Sequence, residues 1–129
     1  MDAAALVELF EPFAAVSVRR MFGGFGVRAE GLFFAVARGG EVYLKVDDET
    51  QPAFAAAGSS PFVVARKGRG PIALSYWRLP EAAFDDPDVL RAWAARAVAA
   101  ARRAEAGKRG KSRKTPVGGG KRRSVPKNA

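Results

Sequence analysis

The sequence contains no cysteine and no histidine. Without cysteine there is no disulfide framework, no thiolate nucleophile and no zinc site built from sulfur ligands, and without histidine the commonest acid–base catalyst and metal ligand is missing. Long apolar runs are also absent, because no run approaches the roughly 18 residues that a membrane-spanning helix needs. The first residues, Met1-Asp2-Ala3, are acidic where a signal peptide would be basic. The sequence therefore predicts a non-enzymatic protein of the reducing cytoplasm, with no cofactor, metal or membrane contact.

The positive charge of the chain is concentrated at one end. The 129 residues carry a net charge of +9 and are 48% hydrophobic, which fits one domain with a real core. Residues 1–103 hold 13 Lys and Arg against 12 Asp and Glu, whereas residues 104–129 hold nine Lys and Arg against one acid. We therefore divide the chain into a nearly neutral domain, 1–103, and a basic tail, 104–129.

Helical spacing of apolar residues marks both ends of the domain. The first helix has Asp2 in the N-cap position and ends near Glu11, because Pro12 disfavours helical backbone before it. The last helix has Asp86 as its N-cap and Pro87 in its first turn. The buried stripe of the first helix is Leu6, Leu9, Phe10 and Phe13; that of the last is Leu90, Trp93, Ala94, Ala97, Val98 and Ala101. We expect the last helix to end near Arg102 and Arg103, at the negative end of the helix dipole.

Between these helices the apolar residues alternate as in strands with one buried face. Tight turns are predicted at Glu30-Gly31 and Gly39-Gly40, and a short middle helix is predicted from a cap at Asp47 and Asp48 to Gly58. The strand positions are Val16 and Val18; Phe25 and Val27; Leu32, Phe34 and Val36; Val42, Leu44 and Val46; then 62–64 and 72–77. The pattern predicts a two-layer α+β fold, with an antiparallel sheet of about five to six strands and N-terminal, middle and C-terminal helices.

The basic tail has too few apolar side chains to form a core of its own. Ordering the backbone costs about 1 to 2 kcal/mol per residue, and beyond Gly107 only Val117 and Val125 are larger apolar residues. We therefore expect a disordered segment that contacts nucleic acid without sequence specificity by releasing counterions. A solubilising role, or weak contact with an acidic partner, stays open. Its cations are Lys108, Arg109, Lys111, Arg113, Lys114, Lys121, Arg122, Arg123 and Lys127.

Several phrases, in order, resemble the TfoX N-terminal domain family. They are Arg20-Met21-Phe22-Gly23-Gly24-Phe25-Gly26, Val42-Tyr43-Leu44-Lys45-Val46-Asp47, Phe54 through Ala57-Gly58, Pro61-Phe62 and Ser75-Tyr76-Trp77 with Leu79-Pro80. The family-motif positions are Met21, Phe22, Gly23, Gly24, Gly26, Tyr43, Lys45, Tyr76 and Trp77. The resemblance covers about residues 6–103 and implies a two-layer α+β fold without catalytic residues.

For the full-length TfoX/Sxy regulators, the resemblance implies a role near transcriptional control of competence. In this sequence the basic tail stands where the family's helical C-terminal domain would follow. The resemblance therefore favours a regulatory or adaptor protein that has an unidentified protein partner.

Three local patterns have competing interpretations. The stretch 24–29 matches a relaxed dinucleotide-binding fingerprint, but a turn and a strand follow it where a helix is needed. The glycines are therefore expected to permit positive φ, a bulge or close packing in a bent strand connection. Aromatic residues on both faces of the strands fit either core packing or stacking on single-stranded bases. These aromatic residues are Phe22, Phe25, Phe33, Tyr43, Tyr76 and Trp77, with Lys45 and Arg78 beside them. A basic hairpin tip at Arg66, Lys67 and Arg69 fits either solvated loop charge or phosphate contact.

Two functions follow from these observations. The first is a non-catalytic regulator or adaptor whose tail binds nucleic acid nonspecifically. The alternative is a protein–protein interaction module with no direct role in nucleic-acid binding. The acidic groups 47–49 and 85–88 are assigned to helix capping rather than to a metal site.

Overall fold

A computed structural model describes the backbone of residues 1–21, 23–66 and 68–114, and their side chains except those of Arg66 and 109–114. Six antiparallel strands form one sheet in the order β1-β2-β3-β4-β6-β5, as the α+β prediction requires. The elements are α1 (Ala3–Phe10), β1 (Ser17–Met21), β2 (Gly24–Ala29), β3 (Leu32–Arg38), β4 (Glu41–Lys45), α2 (Gln51–Ala56), β5 (Pro61–Arg66), β6 (Arg69–Arg78), a 3-10 helix (Glu81–Phe84) and α3 (Pro87–Lys114).

The ends of α1 and the start of α3 are set by the predicted caps. The Asp2 carboxylate accepts a hydrogen bond from the backbone N–H of Ala5, and α1 closes at Glu11. The Asp86 carboxylate accepts from the N–H groups of Asp88 and Val89. Each cap satisfies backbone donors that the first helical turn leaves without partners.

Two hairpins of the meander turn through residues with positive φ. Glu30 and Gly31 have φ of 54° and 77°, and Gly39 and Gly40 have φ of 60° and 81°. Positive φ at both central residues defines the type I′ turn, whose twist matches that of the strands it joins. Both turns lie where the sequence placed them, and they fix the register of β2, β3 and β4.

The core lies between one face of the sheet and the helices α1 and α3. The ring of Phe10 from α1 meets the ring of Phe34 from β3 edge to face, with centroids 5.1 Å apart. Trp93 of α3 packs against Phe54 of α2 at 4.6 Å. Core side chains with less than 2% of their surface exposed include Leu6, Phe10, Val27, Phe34, Val42, Leu44, Phe54 and Leu90. The predicted helical stripes are thus the stripes that the structure buries.

Strand β3 departs from the predicted alternation. Val27 pairs with Ala35 and Arg28 pairs with Phe33, so Phe34 is an extra residue between these pairs and the strand has a β-bulge there. A bulge shifts the side-chain alternation by one position. The prediction that Leu32, Phe34 and Val36 share one face is therefore wrong for Val36. Ala35 and Ala37 take the buried positions beyond the bulge, and Val36 points to the other face.

The middle helix begins later than the sequence predicted. Thr50, not Asp47 or Asp48, is its N-cap, and the Asp47 carboxylate instead accepts hydrogen bonds from the N–H groups of Glu49 and Thr50 in the preceding turn. Its end is as predicted, because Gly58 has φ of 79° and the N–H of Ser59 bonds to the carbonyl of Phe54. This pattern is the Schellman motif, which a glycine in the left-handed region favours.

Helix α3 is longer than predicted. It continues past Arg103 to Lys114, so the helix end and the start of the predicted disordered tail were both placed too early. Extending an existing helix adds one hydrogen bond per ordered residue, and the alanine, lysine and arginine residues of this stretch have high helix propensity. The rest of the predicted tail, 115–129, lies outside the described residues. No helix in the described ranges is long and apolar enough to cross a membrane.

Two arginines attach α3 to the loops at one end of the sheet. The Arg103 guanidinium donates to both oxygens of Asp47, at 2.6 and 3.1 Å, and also approaches Glu49 at 3.1 Å. Arg102 forms an ion pair with Glu30 in the β2–β3 turn. The hydrogen bond from Arg103 lowers the pKa of the Asp47 carboxyl below its ordinary value, assisted by the backbone N–H groups of Thr50 and Glu49.

We expect Asp47→Asn to destabilise the protein at neutral pH and to have less effect in acid. A carboxyl whose pKa is lowered on folding adds stability above its unfolded pKa of about 3.9, and this stability is lost as the pH falls through the folded value. Urea denaturation from neutral to acidic pH measures the difference in unfolding free energy between wild type and variant. The control is Asp48→Asn at the exposed neighbouring position. A difference that stays constant across the acid range would contradict this assignment.

Candidate functional site: an apolar groove on the open sheet face

The sheet face opposite α1 and α3 carries an apolar groove. Its volume is about 460 Å³, within the range of about 300 to 1,000 Å³ that is usual for ligand sites. Its walls come from β1, β2, β3, β5 and β6, and none of the lining residues belongs to a helix. The lining residues are Met21, Phe25, Phe33, Val36, Ala37, Arg38, Phe62, Val64, Leu74 and Tyr76.

The bulge in β3 explains why apolar side chains reach this face. Beyond the bulge Val36 pairs with Tyr43, whereas Ala35 pairs with the buried Leu44. Tyr43 in turn stacks on Phe62, with ring centroids 4.4 Å apart. Strand β3 therefore supplies apolar side chains to the core and to the groove at once.

Two glycines of the Gly-rich phrase allow close packing beside the groove. A Cβ at Gly24 would overlap the carbonyl oxygen of Ala37 on β3, and a Cβ at Gly26 would overlap the Met21 sulfur and the Phe33 ring. The third, Gly23, has φ of 76° in the β1–β2 turn. These observations confirm the interpretation of the phrase as tight packing and positive φ. Residues 24–29 form strand β2, and no helix follows them to hold a pyrophosphate.

The aromatic rings of the groove are covered by cations. Arg38 itself lines the groove. Three of the lining rings have a cation over them. Arg20 lies 5.9 Å from the ring centroid of Phe25, Arg28 lies 5.3 Å from that of Phe33, and Lys45 lies 5.1 Å from that of Tyr76. Cation–π contacts of this kind hold positive charge against an apolar surface.

Three of these cations lie at two opposite ends of the groove. Arg28 pairs with Phe33 and Lys45 pairs with Tyr76, near the end of the sheet that carries the β2–β3 turn. Arg38 closes β3 at the other end. Arg20 lies on the helix side of the sheet, because it pairs with Phe25, which itself pairs with the buried Ala37. The ion pairs of the described side chains use other arginines: Arg78, Arg91, Arg102 and Arg103.

Lys45 stands where the groove meets α3. Burial lowers the pKa of its ammonium, and the positive charge of Lys108 lowers it further, while Asp47 acts in the opposite direction. A second cavity of about 270 Å³ joins this end of the sheet to the helix, between Lys45 and Tyr76 on one side and Glu105 and Lys108 on the other. Burial also raises the pKa of the Tyr76 phenol above its ordinary value.

The other family-motif residues divide between the groove and the core. Tyr43 and Tyr76 belong to the open face, whereas Trp77 pairs with Leu44 and packs against the core. The aromatic residues therefore do occupy both faces, as the strand pattern indicated. Phe22 lies outside the described residues.

The predicted basic hairpin lies between β5 and β6, and Arg69 is the one of its three predicted cations whose side chain the structure describes. β5 ends at Arg66, β6 begins at Arg69, and Gly68 between them has φ of 75°. Arg69 is exposed. Lys67 and the side chain of Arg66 lie outside the described residues, and Arg69 is not among the residues that line the groove.

Of the predicted tail residues, Lys108 is exposed on α3. The backbone of the next four predicted cations is helical, with their side chains not described, and the last four lie outside the described residues. These two sets are Arg109, Lys111, Arg113 and Lys114, and Lys121, Arg122, Arg123 and Lys127.

Several groove residues were not singled out from the sequence. Arg28, Arg38, Val64 and Leu74 lie in strands that were predicted, but nothing marked them as neighbours. A signal was available in Leu32-Phe33-Phe34-Ala35-Val36-Ala37, because an unbroken apolar run in a strand indicates burial on both faces.

The fold and the groove define the class of protein: a two-layer α+β domain with helices on one face of its sheet and an apolar groove on the other. The family model for the TfoX N-terminal domain matches residues 8–101. The chain therefore belongs to the TfoX N-terminal domain family, as its local phrases indicated. No curated protein matches the chain.

We expect Gly24→Ala to destabilise the domain by about 1 to 3 kcal/mol, the usual cost of overpacking, because the added methyl group meets backbone. Gly26→Ala should cost less, since the Met21 side chain can move, but it should also displace the Phe33 wall of the groove. Thermal or urea denaturation measures both changes. Gly70→Ala is the matched control, because its added Cβ meets no atom within 4 Å. Equal effects at Gly24 and Gly70 would contradict the packing argument.

Proposed function

We propose that this protein is a non-catalytic regulatory or adaptor protein of the cytoplasm. In this proposal the folded domain binds a protein partner, and the basic C-terminal segment contacts DNA or RNA without sequence specificity. The observation that carries the proposal is the separation of charge along the chain. Residues 1–103 have a net charge of +1, whereas residues 104–129 have a net charge of +8.

The distribution of charge fits a protein whose basic tail binds nucleic acid and whose nearly neutral domain binds a protein partner. Nonspecific binding to nucleic acid depends on the number of phosphates that cations neutralise, and it needs no shaped pocket. The folded domain instead offers an apolar groove of about 460 Å³, the kind of surface through which proteins bind other molecules. The absence of cysteine and histidine supports a non-catalytic role.

Family membership supports a regulatory role for the domain. The full-length TfoX/Sxy regulators act near transcriptional control of competence, and we propose a related regulatory role for this protein. A segment that holds nucleic acid nonspecifically would keep a domain-bound partner close to DNA or RNA by raising its effective concentration there.

The alternative function is a protein–protein interaction module without a nucleic-acid role. The groove favours this reading, because it is built entirely within the nearly neutral domain. A partner whose capture survives nuclease treatment and neutralisation of the tail would support it, whereas loss of the partner on nuclease treatment would contradict it.

Replacing the tail cations by glutamine should abolish nonspecific binding. The affinity of full-length protein for duplex and single-stranded oligonucleotides should fall steeply with salt, with a log–log slope of roughly −0.9 for each duplex phosphate contacted. In the glutamine variant this slope should approach zero, as measured by electrophoretic mobility shifts over a range of salt concentrations. The nine positions are Lys108, Arg109, Lys111, Arg113, Lys114, Lys121, Arg122, Arg123 and Lys127.

Substitution is preferable to truncation after residue 103, which would cut α3 within its helical span. The matched control carries glutamine at Arg66, Lys67 and Arg69, which removes three positive charges from the hairpin instead. Equal binding by wild type and the tail variant, or no binding by either, refutes a nucleic-acid role for the tail. If only the hairpin variant loses nucleic-acid binding, the binding is assigned to the hairpin between β5 and β6.

A further inference from the structure

We propose that the groove on the open sheet face binds a partner peptide that has acidic residues at both ends of a short apolar segment. The inference deepens the proposed function and rests on its protein partner, for which it names a site and a chemistry. It depends on the apolar lining of the groove and on the position of three cations, Arg28, Lys45 and Arg38.

The spacing of the cations sets the length of the ligand. Arg28 and Lys45 lie at the end of the sheet near the β2–β3 turn, and Arg38 lies at the other end. The two ends are separated by the length of β3 from Phe33 to Arg38, which is roughly 15 Å at about 3.3 Å per residue, allowing for the bulge. A ligand that satisfies both ends therefore needs negative charge on both sides of an apolar stretch of this length.

Peptides meet this requirement in either regular conformation. A span of roughly 15 Å corresponds to about five residues of extended chain or about ten residues of helix. The apolar lining would take the central side chains, as in recognition of an amphipathic helix by a hydrophobic groove. At the end that carries Arg28 and Lys45, acidic residues would meet cations that are already positioned over rings, so few side chains would have to be ordered there on binding.

Charge excludes two occupants from within the protein itself. A second copy of the chain would bring the same three cations face to face with their counterparts. The tail carries nine Lys and Arg against one acid, so it would be repelled by both ends of the groove. Of the carboxylates near the groove, Glu41 forms an ion pair with Arg78, and Glu105 lines a second cavity together with Lys45 and Lys108.

Two other ligand classes fit less well. A fatty acid has a single anionic head, so it would satisfy one end of the groove and leave the cations of the other end without a partner. Single-stranded nucleic acid binds such surfaces by stacking bases on open ring faces. Here Phe25, Phe33 and Tyr76 already carry cations, and Tyr43 stacks on Phe62.

The test uses the full-length protein and synthetic peptides of about 14 residues, long enough to span the groove as a helix. The first peptide has Asp and Glu at both ends and Leu, Ile and Phe in the centre. The second replaces the central apolar residues by Gln at equal charge, which reports any binding to the basic tail. The third replaces the acidic residues by Lys. Laurate and a single-stranded oligonucleotide complete the set, and isothermal titration calorimetry measures each affinity.

We expect the acidic apolar peptide to bind at least about tenfold more tightly than either altered peptide. Arg28→Glu and Arg38→Glu, one at each end of the groove, should each weaken this binding by about tenfold or more. Arg91→Glu is the matched control for charge, because Arg91 is exposed on α3 away from the groove. Its affinity should stay within about twofold of wild type, and circular dichroism checks that all three variants fold.

Several results would overturn the proposal. Equal affinity for the acidic peptide and its glutamine counterpart would assign the binding to the tail. If Arg28→Glu weakens binding of the acidic peptide but Arg38→Glu does not, and laurate binds more tightly than the peptide, the groove is a site for a single anionic head. If the oligonucleotide displaces the peptide, and both arginine variants weaken binding of the oligonucleotide, the groove binds nucleic acid. If no peptide binds, the site is refuted. The glutamine variant of the tail tests the nucleic-acid half of the proposed function separately, since it replaces none of the residues that line the groove.

Discussion

Strand β3 imposes the constraint on which the rest of this domain depends, because its side chains are apolar on both faces. Phe34, Ala35 and Ala37 are buried under the helices, while Phe33 and Val36 line the groove. The bulge at Phe34 makes this arrangement possible by changing the alternation within a single strand. The helices cover only one face, so the architecture itself leaves an apolar surface that a partner can bury.

Ion pairs and cation–π contacts divide the charged residues of the domain between two tasks. Arg102 and Arg103 use their charge inside the structure, where they hold α3 to the turns that carry Glu30 and Asp47. At the groove, Arg28 and Lys45 instead lie over aromatic rings, which leaves their charge available for a ligand. The nearly neutral balance of residues 1–103 therefore conceals a local excess of positive charge on the open face.

Much of the fold follows from local patterns in the sequence. Caps, turn glycines and apolar periodicity located the helices, the hairpins and the buried stripes, because each of these depends on a few neighbouring residues. The bulge at Phe34 and the groove depend on pairing between distant strands, and no local rule marked them. The end of α3 was misplaced because apolar periodicity stops before helix propensity does, and Thr50 replaced Asp47 as a cap because the Asp47 side chain is drawn to Arg103.

The strand order has a consequence for how the chain reaches this structure. Strands β1 to β4 follow one another in sequence and in space, and β5 and β6 form a second local hairpin. In the sheet the two units pair through β4 and β6, which brings Tyr43 opposite Arg78, and Tyr43 also stacks on Phe62 of β5. The loop that joins β4 to β6 contains α2 and β5, and closing it costs more entropy than closing a two-residue turn. Folding should therefore proceed through two locally formed sheets, with their union as the slow step.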